Sequence, residues 1–351
     1  LQFRLRTNNR LHHYTIQSAL KTLQLTGIGN ALVDIEYRVT DDELRSFGVD
    51  KGAMTLTEPE RRAEILAQLS DREAHKSSGG SAANSIIAFS QFGGSAAYCS
   101  ILGHDSDGEH YASEFRDLGI HLEAPLVSGL ETGTCVVFVS PDAERTLNTT
   151  LAANLAFSRR HINEELIKRS EWVYIEGYKL TDDNGAEAAD MVAFYAKKHD
   201  TRLAVSCSDG FIVDVFGDRL RDILRHADLV FGNEREAASL AGEATPHEAF
   251  RALASRYPNV VVTMGDKGSL VRWCGIEAEI PAYQADLVDT IGAGDMYAGA
   301  FLYGVLHRHH PEYAGRLASY ASAQVVAQYG PRLKASHIEV RDSILSTSPQ
   351  V

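Results

Sequence analysis

No Gly-Lys dipeptide occurs anywhere in the 351 residues, so a GxxxxGKS/T phosphate loop is excluded. There is no CxxC pair either. Cys99, Cys135, Cys207 and Cys274 stand far apart, which removes zinc-ribbon and dithiol motifs and leaves buried free thiols as the expectation. No apolar run approaches the ~20 residues of a membrane-spanning helix. Cations are scarce: 34 Lys and Arg stand against 47 Asp and Glu, a net charge of −13. That balance argues against a general nucleic-acid or membrane-surface partner, although one cleft can still be locally positive. Acids are missing from residues 1–33, which carry Arg4, Arg6, Arg10 and Lys21. Residues 1–21 are read as a basic N-terminal extension of a cytoplasmic protein, with organelle import as the alternative.

The rest of the chain is rich in short apolar runs. "TLQLTGIGN", "EWVYIEG", "RLAVSC", "DLVFGN" and "NVVVTMG" read as strands. Between them lie helical patterns such as "GAEAADMVAFYAKKH" and "HEAFRALASRY", and another helix opens with Glu-Pro near Glu58–Leu69. Continuous apolar strands alternating with helices predict an α/β fold, a doubly wound, mostly parallel sheet with helices on both faces. Segments near 31–60 and 95–150 alternate more and predict a small β-rich lid. The main domain is read as 22–345.

The stretch "DTIGAGDMYAGAF", Asp289–Phe301, is the most informative. Residues from Ala293 to about Leu306 are helix-compatible, and Ala298, Gly299 and Ala300 would allow close packing on a neighbour. Glycine at a helix start leaves unpaired N–H groups open, and the helix dipole favours negative charge there. Gly292, Ala293 and Gly294 could thus hold an anion, with Asp295 beside it accepting a proton from an attacking hydroxyl. The helix start is expected to keep Asp295 ionised. The alternative is a glycine-rich turn followed by a first-turn helix acid. Asn30 and Asp34 follow a strand, where their donors and acceptors suit a vicinal diol, or else form an Asx turn. "GIGNAL" and "GAGDMY" fail the GxGxxG dinucleotide pattern at Leu32 and Tyr297. "GHDSDGEH" lacks a calcium loop's twelfth-position glutamate, Arg116 standing there, and reads as a structural turn before a helix. The pairs His12–His13 and His309–His310 read as solvated.

"DTIGAGDMYAGAF" resembles the DTxGAGD motif of the ribokinase/PfkB family of sugar and nucleoside kinases. "GGSAAN" (Gly79–Asn84), "GHDSDG" (Gly103–Gly108), "NERE" (Asn233–Glu236) and "TMGDKGS" (Thr263–Ser269) are similar to four further family motifs, in the family's order. "GNALVD", "ERTLNTTLAAN" and "YIEGYKLT" resemble the adenosine-kinase-like branch. Ala31 departs from that branch's proline, and no adenine-stacking aromatic is identified.

The resemblance implies a ribokinase-like fold and transfer of the ATP γ-phosphate to a primary hydroxyl of a nucleoside, adenosine first. A ribokinase- or fructokinase-type sugar kinase is the near alternative, and a non-catalytic ligand-binding relative the distant one. It implies Asp295 as base with Gly292, Ala293 and Gly294 holding the transferred group. Asn30, Asp34, Gly79, Gly80, Asn84 and Arg145 would hold the acceptor, Arg145 closing from the lid onto phosphate. Thr263, Gly265, Gly268 and Asn233 would meet ATP. Glu236 and Asn233 would orient Mg²⁺ through water, or else be a helix N-cap and first-turn acid, and Asp289 is a candidate ligand of a monovalent cation such as K⁺. Leu32, Met54 and Phe138 are candidates for an apolar slot for a base. A monomer or homodimer is expected.

Overall fold

The computed structural model describes residues 21–350 apart from Ala143. The basic stretch 1–20 and the pair His12–His13 lie outside the described residues. Nine strands form a large sheet. From one edge to the other its order is Ile276–Ile280, Ser269–Trp273, Asn259–Thr263, Leu229–Asn233, Arg202–Ser206, Ser170–Glu176, Leu23–Ile28, Ala96–Cys99 and His121–Glu123. The last seven are parallel, and the first two add an antiparallel hairpin at the edge. Helices cover both faces, and two apolar layers lie on either side of the sheet. The doubly wound α/β expectation holds.

A second sheet of five strands has the order Met54–Leu56, Arg145–Thr150, Gly133–Val139, Leu32–Arg38, His75–Gly79. Within the 95–150 stretch read as lid, Ala96–Cys99 and His121–Glu123 instead belong to the large sheet, and His75–Gly79 joins the small one from outside both stretches. Strand alternation sorts the small sheet into two faces. Ile35, Tyr37, Val136 and Phe138 are buried in the main core, with Phe138 stacked on Phe47 of the helix Asp41–Phe47 at 5.1 Å. Leu32, Asp34, Cys135, Leu147 and Thr149 point the other way, into a cleft between the sheets. Phe138 therefore does not belong to the slot expected of it.

The chain crosses between the sheets by very short links. Gly29–Ala31 connects Leu23–Ile28 to Leu32–Arg38, and Gly80 connects His75–Gly79 to the helix Ser81–Gln91. Gly80 adopts φ +103, and a side chain there would strike the Asn30 carbonyl. Only glycine tolerates both conditions.

The helix Ala293–Leu306 packs on Ser81–Gln91. A Cβ at Gly299 would meet the Ser85 carbonyl and Ala88, so the small residues do permit the close approach expected of them. One turn earlier on both helices, the same contact brings Asp295 against Ser81 and Asn84. Asp105 N-caps the helix Ser106–Asp117 and accepts from Gly108 N and Thr132 N, a structural turn as read. Cys99, Cys135 and Cys207 are buried, but Cys274 sits exposed at a hairpin turn, contrary to expectation. His310 N-caps the helix Pro311–Val326, while His309 bridges to Gln350. Among the described residues, no helix is long and apolar enough to cross a membrane.

Candidate active site

A cleft of about 590 Å³ opens between the two sheets, along the C-terminal ends of the parallel strands. It gathers residues that the sequence scatters: Asn30, Asp34, Gly80, Asn84, Asn233, Glu236, Thr263, Gly292, Gly294 and Asp295 all border it. Gly79, Arg145, Gly265, Gly268, Ala293 and Asp289 do not.

Asp295 sits in the first turn of its helix. Its Oδ1 accepts from Ser81 Oγ at 2.6 Å and its Oδ2 from Asn84 Nδ2 at 3.2 Å. Burial pushes its carboxyl up to about 6, opposed by these two hydrogen bonds. The expected depression by the helix start is thus outweighed, and the group is poised near neutral pH, where a general base works best. Gly292 is the N-cap at φ +75, backed by Pro331, while a Cβ on Gly294 would meet open space. Ala293 N donates to Thr290 O at 3.3 Å, so it is not free for an anion as expected. The N–H groups of Gly294 and Asp295 donate to no backbone carbonyl among the described residues.

Opposite lies the acceptor corner. Asp34 has its pKa raised to about 7 by burial, countered by the charges of Arg145 and Arg332. Its carboxylate lies against Gly79, where any side chain would strike it, so that glycine makes room for Asp34 rather than for a ligand. Asn84 is not the N-cap of its helix. Gly80 holds that position, and Asn84 stands one turn in, its Oδ1 buried and without a partner.

Three residues that carried no individual role in the sequence reading support this corner. Glu176, 1 % exposed, accepts from Asn30 N at 2.7 Å and Ala82 N at 2.6 Å, clamping both inter-sheet links. Burial raises its pKa. Asn154 pairs with the backbone of Ala31 in both directions, at 2.9 and 2.8 Å. Lys179 donates to Asn30 Oδ1 at 3.0 Å. All three fall in the quoted segments "YIEGYKLT" and "ERTLNTTLAAN", which is the only signal that could have found them.

Several expectations change. Arg145 is buried between Glu36 at 2.9 Å and Asp289 at 2.7 Å, so its fork faces carboxylates instead of the cleft. Asp289 in turn accepts from Ile291 N and Gly330 N, each at 3.0 Å. Both Asp289 oxygens are engaged, Oδ1 by Ile291 N and Oδ2 by Gly330 N and the Arg145 guanidinium. Asn233 and Glu236 form a closed capping box: Asn233 Nδ2 donates to Glu236 Oε1 at 2.6 Å, Asn233 N to Oε2 at 3.0 Å, and Glu236 N back to Asn233 Oδ1 at 2.9 Å. Burial raises Glu236 to about 7. Gly265 at φ +59 and Gly268 at φ +91 shape the hairpin turn behind Thr263.

The cleft is not locally positive. Asp34, Glu176, Asp209, Glu236 and Asp295 border it, and among the described residues no Lys or Arg does. A polyphosphate entering this acidic cleft needs its charge neutralised from elsewhere. No cluster of three or more His, Cys, Asp or Glu suited to a metal occurs among the described residues. The acidic lining fits Mg²⁺ that arrives on the nucleotide, held by one or two carboxylates and its own waters.

The small-sheet side contributes five apolar residues, Leu32, Met54, Leu56, Leu147 and Leu151, alongside Asp34, Cys135 and Thr149. The aromatic residues at the cleft, Tyr174, Tyr178, Phe211, Phe231 and Tyr297, come from the large-sheet side.

Comparison with known proteins agrees with this geometry. Residues 54–338 match the model of the pfkB family carbohydrate kinases. The chain is 27 % identical to adenosine kinase 2 of Arabidopsis thaliana over 328 residues, covering 87 % of this chain and 94 % of the relative. Among solved structures, the adenosine kinase from Sinorhizobium meliloti superposes with a TM-score of 0.84 at 31 % identity, covering 92 % of this chain and 99 % of that one. The probable sugar kinase protein from Rhizobium etli CFN 42 superposes with a TM-score of 0.85 at 30 % identity, covering 92 % and 98 %. With its cleft, its glycine-opened helix and this family match over most of its length, the chain belongs to the pfkB family of carbohydrate kinases and transfers phosphate to an alcohol.

Proposed function

We propose that the protein phosphorylates the primary hydroxyl of a nucleoside, adenosine first, using ATP. The observation that carries the nucleoside reading is the division of the cleft. Polar groups converge at the Asn30–Asp34–Asp295 end, and a wall of Leu32, Met54, Leu56, Leu147 and Leu151 lies beside them. A ribose with an attached base matches one polar end and one apolar slot, whereas a free sugar asks for hydroxyl partners all round.

In this reading Asn30 and Asp34 hold the ribose hydroxyls, and the primary hydroxyl points to Asp295. Ser81 and Asn84 fix the Asp295 carboxylate so that it takes the hydroxyl proton as the oxygen attacks the γ-phosphorus. The N–H groups of Gly294 and Asp295 receive the charge that builds on the transferred phosphoryl group. The transition state is loose, so positioning supplies most of the acceleration and a base of modest strength suffices. The proton then leaves Asp295 through the open cleft. ATP lies along Thr263 and Asn233. Glu236 and Asn233 would orient the waters of a Mg²⁺ ion arriving on the nucleotide, which would offset the phosphate charge.

The test is product analysis. Purified protein with ATP, Mg²⁺ and adenosine should release ADP and form the 5′-phosphate, while 5′-deoxyadenosine should be inert. Equal ADP release with 5′-deoxyadenosine would overturn the reading.

A further inference from the structure

We propose that Lys179 is a positioning residue that sets which face of the Asn30 amide the acceptor meets. The idea rests on the reading of Asn30 as an acceptor-binding residue. Lys179 lies in the turn Gly177–Thr181 behind the cleft and is 1 % exposed. Its Nζ donates to Asn30 Oδ1 at 3.0 Å and to Asn154 O at 3.3 Å, and stands 4.7 Å from the centre of the Phe157 ring. A lysine ammonium carries three donors and no acceptor. Whatever atom of Asn30 it touches must therefore be the oxygen. The amide is held in one orientation, and its NH₂, which has no partner among the described residues, is the end left for the cleft that Asn30 borders.

The consequence is polarity at the acceptor corner. Asn30 and Asp34 border the same cleft, and the Asp34 carboxylate packs against Gly79. With Lys179 in place, Asn30 offers a donor and Asp34 an acceptor. A pair of adjacent hydroxyls can accept from the first and donate to the second. With the amide reversed, both groups would be acceptors, so both hydroxyls would have to donate and neither could accept from Asn30. A buried ammonium is otherwise a costly choice for a position that an apolar side chain could fill. Burial lowers its pKa, countered by the nearby charges of Asp182 and Glu176.

The experiment compares wild type, Lys179→Met and Asn30→Ala with adenosine, 2′-deoxyadenosine and 3′-deoxyadenosine at saturating Mg-ATP. Lys179→Met should raise the KM for adenosine about tenfold, the worth of one oriented hydrogen bond. It should leave kcat and the KM for ATP within twofold. It should also shrink the preference for adenosine over whichever deoxy analogue lacks the hydroxyl that Asn30 contacts. A structural role would weaken all three acceptors alike, and that result overturns the proposal. If Lys179→Met does not fold, Lys179→Gln serves instead. Its amide can present either atom to Asn30, so the preference should again shrink, and an unchanged preference overturns the proposal. Asn30→Ala separates the two readings. If it leaves every acceptor KM unchanged, the role of Asn30 fails and the inference with it. If it raises KM while the Lys179 variants do not, only the inference fails.

Discussion

Asp295→Asn should cost activity and gain stability. The carboxyl titrates near 6 in the folded protein against an ordinary value of 3.8 because burial penalises its charged form. The sign follows from linkage: the native state holds the proton more tightly than the unfolded chain, so stability falls as pH rises from about 4 through about 6, and the full penalty is present at neutral pH. Two pKa units correspond to roughly 3 kcal/mol as an upper bound. The side chain still reaches solvent through the cleft, which reduces this to roughly 1 kcal/mol. Asparagine removes the charge and keeps an oxygen for the Ser81 hydroxyl. The variant should therefore melt about 1–3 °C higher than wild type at pH 7.5 and level with it near pH 4. Turnover should drop by ~10²–10⁴-fold, the usual worth of a general base. Thermal unfolding at both pH values, with ADP release alongside, decides the matter. A variant that melts lower than wild type at pH 7.5, or turns over within threefold of it, would refute the reasoning.

Other expectations follow from the same geometry. The pH profile of kcat/KM should fall as pH drops through 7 and 6, because Asp34 near 7 and Asp295 near 6 must both be ionised; a profile flat down to pH 5 contradicts this. Asp34→Ala should weaken acceptor binding by roughly 1.5–3 kcal/mol with little effect on ATP, read from separate KM values, and equal losses for both would give Asp34 a structural role. Gly292→Ala should destabilise the fold by more than about 1 kcal/mol, since φ is +75 and Pro331 occupies the space, whereas Gly294→Ala should leave stability nearly unchanged and lower kcat by crowding the N–H groups. Melting temperatures and kcat for the pair separate the two roles.

Much of this was legible in the chain. The helix Ala293–Leu306 starts where glycine spacing places it, because that signal is local. The same holds for five strands of the large sheet, Leu23–Ile28, Ser170–Glu176, Arg202–Ser206, Leu229–Asn233 and Asn259–Thr263, each a short apolar run. What escaped depends on distance or on missing periodicity. Phe138 lies in Gly133–Val139, a strand buried along its whole length, so no alternation shows which side chain faces which way. Arg145 looked free because its partner Asp289 is 144 positions away in the sequence, and only the meeting of the two sheets joins them. Glu176 and Asn154 bind backbone atoms of Asn30, Ala31 and Ala82, and Lys179 binds the Asn30 side chain and the Asn154 carbonyl, contacts that topology alone creates. Among the described residues no Arg or Lys borders the cleft, although the sequence allows a locally positive one; N–H groups and a nucleotide-borne cation can do that work.

The central claim is that a nucleoside, not a free sugar, fills the divided cleft. The most direct measurement is kcat/KM for adenosine, other nucleosides, ribose and fructose under one set of conditions with Mg-ATP. The account predicts that adenosine leads and that both sugars fall at least a hundredfold below it, since they leave the apolar wall of Leu32, Met54 and Leu147 unfilled. Ribose or fructose exceeding every nucleoside would contradict it and make the protein a sugar kinase of the same family.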